Sequence, residues 1–429
     1  MSEKTFAVHT LGCKVNSYES NAISAILEKN GLKPVNFEEI ADIYIINTCS
    51  VTNTGDKKSR QMIRRAKRQN PDAFIAVLGC YAQSDPEDVK ALGVNLVAGT
   101  SDRNHFIEMI LESAAGSIVK DISKVSEFEY LPEPDTSERT RAYIKIQDGC
   151  NNFCSYCIIP YTRGRVRSKN PDSVIAEAKA LKEAGFLEIV LTGIEVASYG
   201  KDLGDTSLID LLERLSKEVA FERIRLSSID PRAFTDDFIS RISLIPGVCH
   251  HFHISAQSLC TETLKRMNRH YTAEGFLDIL EKIRTSMPDA AITTDIITGF
   301  PGETEEEFAI TCKNTKKAAF SRLHVFPYSE RRGTVAAKME QIPLSVRSER
   351  AKLLIEEGLK LSKAFSESFT GKTVSVLFEE GKDGVYEGYT ENYVRVAVKS
   401  ERDLSGEIHP VKIMKLSGGT LLIGVIDNL

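Results

Sequence analysis

Cys150, Cys154 and Cys157 crowd into the stretch Asp-Gly-Cys-Asn-Asn-Phe-Cys-Ser-Tyr-Cys, directly after an apolar run that reads as a strand. Three thiolates on one tight loop suit three irons of a [4Fe-4S] cube, whereas most such clusters are closed by a fourth cysteine. The fourth iron then stays open to chelate the amino and carboxylate groups of S-adenosylmethionine (SAM). An electron passed to the chelated cofactor cleaves its carbon–sulfur bond and releases a 5′-deoxyadenosyl radical. A zinc knuckle or a set of buried thiols is the plainer reading. Zinc sites usually show two ligand pairs or a Cys/His mixture, and no Cys or His follows Cys157 before Cys249.

The N-terminal part repeats one pattern. Residues 6–13, 43–49 and 74–80 each read as a short buried strand that ends in a cysteine. Helical stretches lie between them, 17–30 closed by Gly31 and 56–70 stopped by Pro71. This alternation implies a parallel sheet with right-handed crossovers. Ligands of open parallel sheets bind at the carboxyl ends of the strands, so Cys13, Cys49 and Cys80 are expected to converge as a second cluster site. Three ordinary core cysteines are the alternative, since free Cys is among the most buried residue types.

From about Arg141 strands alternate with helices six times, which resembles a partial TIM barrel whose chemistry collects at the strand C-termini. Candidate cofactor contacts sit at those ends. Gly193 and Glu195 follow the second strand, Glu195 as a receiver for the cofactor's ammonium. Ser227 and Ser228 close the third, as ribose-binding hydroxyls, and Gln257 and Ser258 the fourth. Gly299 closes the fifth, where glycine permits close backbone approach. His250, His251, His253 and His324 read as barrel-filling or rim residues without a catalytic role. Cys249, Cys260 and Cys312 default to structural thiols, and Phe300 and Phe326 to core. After a long helix over about 344–369, five short strands suggest a small antiparallel barrel, on which Tyr386, Tyr389, Tyr393 and Arg395 read as exposed base-stacking groups.

At 429 residues the chain has room for two or three domains. It shows neither an apolar run of membrane-spanning length nor the charged-then-apolar order of a signal peptide. Nine cysteines, an odd number, fit thiolate ligation in a reducing compartment better than a disulfide framework. These features point to the cytoplasm and to oxygen sensitivity. The net charge of −5 argues against indiscriminate nucleic-acid binding, so an RNA partner must meet local patches. One is Lys57 to Arg68, including Arg64, Arg65 and Arg68; the other is Arg163, Arg165, Arg167 and Lys169. A charge run is ordinarily a solvated helix face, but both runs lie beside cysteine loops.

The three-cysteine loop is the signature of the radical SAM superfamily, in which the position of Tyr156 flanks the adenine ring. Taken with Leu11-Gly-Cys-Lys-Val-Asn-Ser-Tyr-Glu-Ser20, Asn47-Thr-Cys-Ser-Val-Thr-Asn53, Gly79-Cys-Tyr-Ala-Gln83, Arg163-Gly-Arg165 and Thr294-Asp-Ile-Ile-Thr-Gly-Phe-Pro-Gly-Glu-Thr304, the chain resembles the methylthiotransferases of that superfamily from end to end. The resemblance implies three domains: a flavodoxin-like one over 1–118, a (β/α)6 radical SAM barrel over 136–366, and an OB-like TRAM barrel over 367–429. It implies an auxiliary [4Fe-4S] cluster on Cys13, Cys49 and Cys80, a radical SAM cluster on Cys150, Cys154 and Cys157, and two molecules of SAM per product. A tRNA substrate, a reducing electron donor and a sulfur donor complete the set.

Lys14-Val15-Asn16, Ile158-Ile159-Pro160-Tyr161 and Thr192-Gly-Ile-Glu-Val-Ala-Ser-Tyr-Gly200 are similar to the branch that modifies N6-threonylcarbamoyladenosine in tRNA. The Gln-Asn-Val-Asn element of the isopentenyladenosine branch and the Pro-Lys-Asn of the ribosomal protein S12 branch do not appear. On this resemblance Arg163, Arg165 or Arg167 is the expected partner of the substrate carboxylate. Leu259 after Ser258, and Glu330-Arg331-Arg332-Gly333, depart from the family's usual glycine and proline-containing turn. A cobalamin-dependent radical enzyme and a noncatalytic iron–sulfur RNA-binding protein are the competing readings.

Overall fold

The computed structural model describes residues 4–131 and 140–426, so the expected start of the barrel domain at 136 lies outside the described residues. The N-terminal part forms a six-stranded, wholly parallel sheet. Its order is Lys33–Pro34, Thr5–Thr10, Ile43–Thr48, Phe74–Gly79, Leu96–Ala98, Gly116–Ile118. Separate apolar clusters cover its two faces, which is why Ile43–Thr48 is buried at every position rather than alternating. The two edge strands, Lys33–Pro34 and Gly116–Ile118, and the inner strand Leu96–Ala98 carry too few residues to show a period in sequence.

The three cysteine-bearing strands are neighbours in the sheet, with Thr10 opposite Asn47 and Thr48 opposite Gly79. Their carboxyl ends therefore share one edge. The helices between them begin three residues earlier than sequence periodicity suggests. Cys13 is itself the N-cap of Lys14–Lys29, and the Thr52 hydroxyl accepts the Gly55 N–H to start Asn53–Gln69.

Six parallel strands follow: Arg141–Lys145, Glu188–Thr192, Arg223–Leu226, His251–His253, Ala291–Thr298 and Arg322–Pro327. They form two three-stranded sheets joined by the bridge between Ile229 and Ile254. Among the described residues no ladder links the first strand to the sixth, so the barrel is open on that side. The long helix Leu344–Glu367 lies against the sixth strand, close enough that a Cβ on Gly358 would come 2.9 Å from Leu323.

The tail closes into a five-stranded barrel. It is not purely antiparallel as expected, because Arg395–Lys399 pairs with Leu421–Val425 in parallel. Its tyrosines are half-buried rather than exposed. The Arg141 and Arg225 guanidinium groups lie over Tyr393 at 5.5 and 4.5 Å, and Arg223 donates to the Tyr389 carbonyl at 2.9 Å. Phe300 is core, but Phe326 is 48% exposed and is not. Among the described residues no helix is long and apolar enough to cross a membrane.

Candidate active site

The loop carrying Cys150, Cys154 and Cys157 is pinned from several sides. The Cys150 N–H donates to the Gly164 carbonyl at 3.0 Å and the Ser155 N–H to the Met267 carbonyl at 3.0 Å. Gly149, at φ +74°, passes so close to Arg165 that a Cβ would sit 1.9 Å from its carbonyl oxygen. Only glycine fits there. Arg269, buried, places a guanidinium nitrogen 3.5 Å from the Cys154 sulfur while also donating to the Ser255 carbonyl at 2.9 Å and pairing with Asp230 at 3.2 Å. Burial pushes the Cys150 thiol up to about 12 and raises Cys157 well above the ordinary thiol value; in both, the neighbouring Cys154 adds to the effect. The three sulfurs thus share one environment.

The second trio assembles as the sheet predicts. Burial pushes the Cys49 thiol up to about 11, with Cys80 and Cys13 among its electrostatic neighbours; burial also raises Cys80, which senses Cys13. A Cβ on Gly12, at φ +109°, would meet the Cys49 sulfur at 3.1 Å, so the turn before Cys13 must be glycine. A single zinc ion, with sulfurs about 2.3 Å away, would draw its ligands into a tight triangle. Among the described residues the one group of three ligand atoms within 4.8 Å of one another is His253, Asp295 and His324. Neither cysteine trio is that tight, as suits a multi-iron cluster better than one ion.

Arg163 corrects the sequence reading. It is 0% exposed and cannot contact RNA or a substrate carboxylate. Its guanidinium donates to Glu19 at 2.7 and 3.1 Å, to Asn16 at 2.6 Å and to Asp148 at 3.3 Å, and it also bonds the Cys80 thiol, whose pKa it pulls down against burial. Glu19 further accepts from Arg103 at 2.6 Å and from Lys145 at 2.8 Å. These cations hold the Glu19 carboxyl down at about 2 despite its burial. The N-terminal sheet and the open barrel are thereby joined through a charge network at the auxiliary trio. Arg167 is buried beside Asp148, and Lys169 pairs with Glu177. Only Arg165 of this run is exposed, over the Phe153 ring at 4.7 Å.

Arg331, in the turn that departs from the family, is a second link. Buried, it donates to Ser50 at 2.6 Å, Asp56 at 2.5 Å and Asn53 at 3.1 Å, so the barrel side fixes the segment after Cys49. Of the other basic run, Arg64 and Arg68 are exposed, whereas Arg65 is paired with Glu38 and Lys67 donates to the Leu92 and Gly93 carbonyls. Arg269 lies between Asn268 and His270, and Arg331 sits beside Arg332 in the turn already noted. Neither position's neighbours in the chain say which distant residues it will meet.

A cavity of about 990 Å³ extends from Cys13 past Gly193, Ser227 and Ser228 into the open side of the barrel, to Tyr389 and Tyr393. Thr192 Oγ1 and Ser227 Oγ are buried on its wall, without a hydrogen-bond partner among the described residues. Such orphans suit a polar ligand. Glu195 lies beside Cys150, accepting the Ala197 and Asp230 N–H groups at 3.2 and 3.1 Å; burial, with Asp230 alongside, pushes it up to about 7. Tyr156 packs against the edge of Phe300 at 6.4 Å, and Gln257 holds φ +65°. Gly299 is not an open cradle, since a Cβ there would meet the Arg347 side chain at 2.5 Å.

Residues 5–99 match a family described as "Uncharacterized protein family UPF0004", and residues 144–314 match the radical SAM superfamily. The chain is 46% identical over 423 residues to the threonylcarbamoyladenosine tRNA methylthiotransferase MtaB of Bacillus subtilis (strain 168), covering 96% of this chain and 94% of that relative. MtaB of Thermotoga maritima is 38% identical, at 96% and 95% coverage. A tRNA-2-methylthio-N(6)-dimethylallyladenosine synthase of Acetivibrio thermocellus is 36% identical, at 96% and 88% coverage. Among solved structures, the radical SAM methyltransferase TsrM of Kitasatospora setae with cobalamin and a [4Fe-4S] cluster superposes with a TM-score of 0.56 at 15% identity, over 90% of this chain and 80% of that one. That likeness is one of fold.

Proposed function

This chain belongs to the radical SAM methylthiotransferase family, and from that premise we propose that it converts N6-threonylcarbamoyladenosine at position 37 of tRNA, 3′ of the anticodon, to its 2-methylthio form. The main support is the assembly of two cysteine trios, one within a single loop and one from three adjacent strand ends, with a cavity running from Cys13 to the barrel rim. The 46% identity to the Bacillus subtilis threonylcarbamoyladenosine enzyme, against 36% to the dimethylallyladenosine synthase, favours that substrate.

On this reading Cys150, Cys154 and Cys157 hold the radical SAM cluster and Cys13, Cys49 and Cys80 the auxiliary one. When bound, the two [4Fe-4S] clusters would relay an external donor's electron and hold the donated sulfur, and two SAM would supply the radical that takes hydrogen from adenine C2 and the methyl group. The aryl C–H bond is beyond any side-chain base, so the chain's own work is holding and placing. Glu195 receives the cofactor's ammonium, whose approach restores the charge that burial opposes. Ser227, Ser228 and Thr192 offer hydroxyls to the ribose, with Gly193 on the same wall packed closely on Gln147, and Tyr156 beside the adenine. Gln257 and Gly299 shape the rim. Arg269 and Arg163 each set a buried positive charge against one anionic cluster.

Arg64, Arg68 and Arg165 remain accessible for phosphates. The chain divides into domains at 1–118, 136–366 and 367–429, and acts in the cytoplasm with an external electron donor and sulfur donor. Mass spectrometry of nucleosides from tRNA of a deletion strain tests the reading. Loss of 2-methylthio-N6-threonylcarbamoyladenosine with the isopentenyl derivative intact is expected; the reverse pattern overturns the substrate.

A further inference from the structure

Lys14 occupies an energetically odd position. It is the first residue of a sixteen-residue helix, where a cation opposes the helix dipole, and the first turn contains no acid. Its side chain is exposed, and the surface it lines is the cavity wall next to Cys13. Among the described residues its ammonium has neither an acceptor nor an ion-pair partner. Its charged neighbours are Arg141 and Arg225, which repel it, and Glu188. That carboxylate is already shared by Arg225 at 2.7 Å, Arg141 at 2.8 Å and Arg223 at 3.6 Å.

The same wall carries two further unpartnered groups. Arg322 is exposed and, among the described residues, unpaired. His251 is only 9% exposed, yet its Nδ1 has no hydrogen-bond partner among the described residues. The acid of this region, Asp295, is held by His253 at 3.3 Å and His324 at 3.1 Å. A helix N-terminus, an unneutralised ammonium, a free guanidinium and an unsatisfied imidazole thus border one cavity. Together they suit a ligand bearing a compact negative charge.

We propose that Lys14, aided by His251 and Arg322, receives the carboxylate of the threonylcarbamoyl group and so sets specificity for an anionic N6 substituent; this rests on the substrate reading above. On a purine ring C2 and C6 flank N1 on one edge. Presenting C2 toward the cysteine at position 13 therefore carries the N6 substituent along the same wall, where Lys14 is the next residue. An isopentenyl group would leave these cations without a counter-charge, which penalises the wrong substrate.

The test uses the iron-loaded, full-length protein and fluorescence anisotropy with three anticodon stem-loops: one with N6-threonylcarbamoyladenosine as the free acid, one as its methyl ester, and one with plain adenosine. Wild type should bind the acid about tenfold more tightly than the ester, the factor one charge-assisted contact supplies. Lys14→Met should bring the acid-to-ester ratio to about one, and Lys14→Arg should restore most of it. Because the ratio is taken within one protein sample, partial misfolding cannot mimic the result. An unchanged acid preference in Lys14→Met overturns the role of Lys14. Equal weakening of all three ligands also overturns it, assigning the cation to an RNA phosphate. If wild type does not distinguish either modified loop from plain adenosine, the substrate reading falls and this proposal with it.

Discussion

The two cysteine trios reach similar arrangements by different routes. One lies within a single loop, Cys150 to Cys157, so its spacing is local. The other gathers Cys13, Cys49 and Cys80 from three adjacent strand ends, and its shape depends on sheet register and on the contacts that press the sheet against the barrel. Each has one buried arginine at a cysteine, Arg269 at Cys154 and Arg163 at Cys80. Arg269 ties together parts of one barrel, whereas Arg163 reaches across to Glu19 and Asn16 of the sheet. A locally encoded site tolerates loosening elsewhere; a site assembled over long range does not.

Removing the trios separately gives the sharpest contrast. Wild-type protein reconstituted without oxygen should hold about eight irons, and changing either trio to alanine should leave about four. Loss of the 150–157 trio should abolish deoxyadenosine formation. Loss of the strand-end trio should abolish methylthiolation while cofactor cleavage continues. An unchanged iron count after Cys13, Cys49 and Cys80 become alanine would refute the second cluster site.

Arg163→Met should act mainly on the distant trio. It leaves Glu19 and Asp148 short of a cation in a buried network, a change that typically costs about 3–5 kcal/mol. Auxiliary iron should fall first, with thermal unfolding at lower temperature, while Arg269→Met should chiefly affect the loop cluster. Equal loss of both clusters in each variant, read by iron analysis and Mössbauer spectroscopy, would erase the distinction.

A smaller effect is expected from the outer face. Arg64→Glu with Arg68→Glu should weaken tRNA binding and reduce the slope of log affinity against log salt by about 0.9 for each lost phosphate contact. An identical slope would return this helix face to simple solvation. Arg165→Glu supplies the matching test on the barrel side.

The smallest effect concerns acid. Glu19 sits at about 2 in the fold, below the usual glutamate value. The folded state therefore binds fewer protons than the unfolded state between those values, and stability falls as pH drops through that window. In cluster-free protein, Glu19→Gln should lower stability at neutral pH and flatten this acid slope. A wild-type melting temperature that is level from pH about 4.5 to about 2 would contradict the network.

The sequence by itself determined the cysteine loop, the three strand-end cysteines, the alternation that builds sheet and barrel, and the family resemblance, because all of these reside in short-range spacing and periodicity. Tertiary structure decided which charges face water. Arg163 and Arg64 are alike as letters in basic runs, but one is enclosed by Glu19, Asn16 and Asp148 while the other lies on an open helix face. It also decided the links through Arg269 and Arg331, the half-burial of Tyr389 and Tyr393 against barrel arginines, and a Lys14 ammonium left without an ion-pair partner among the described residues. Burial and ion pairing depend on residues far apart in the chain, and no local pattern records which of them will meet.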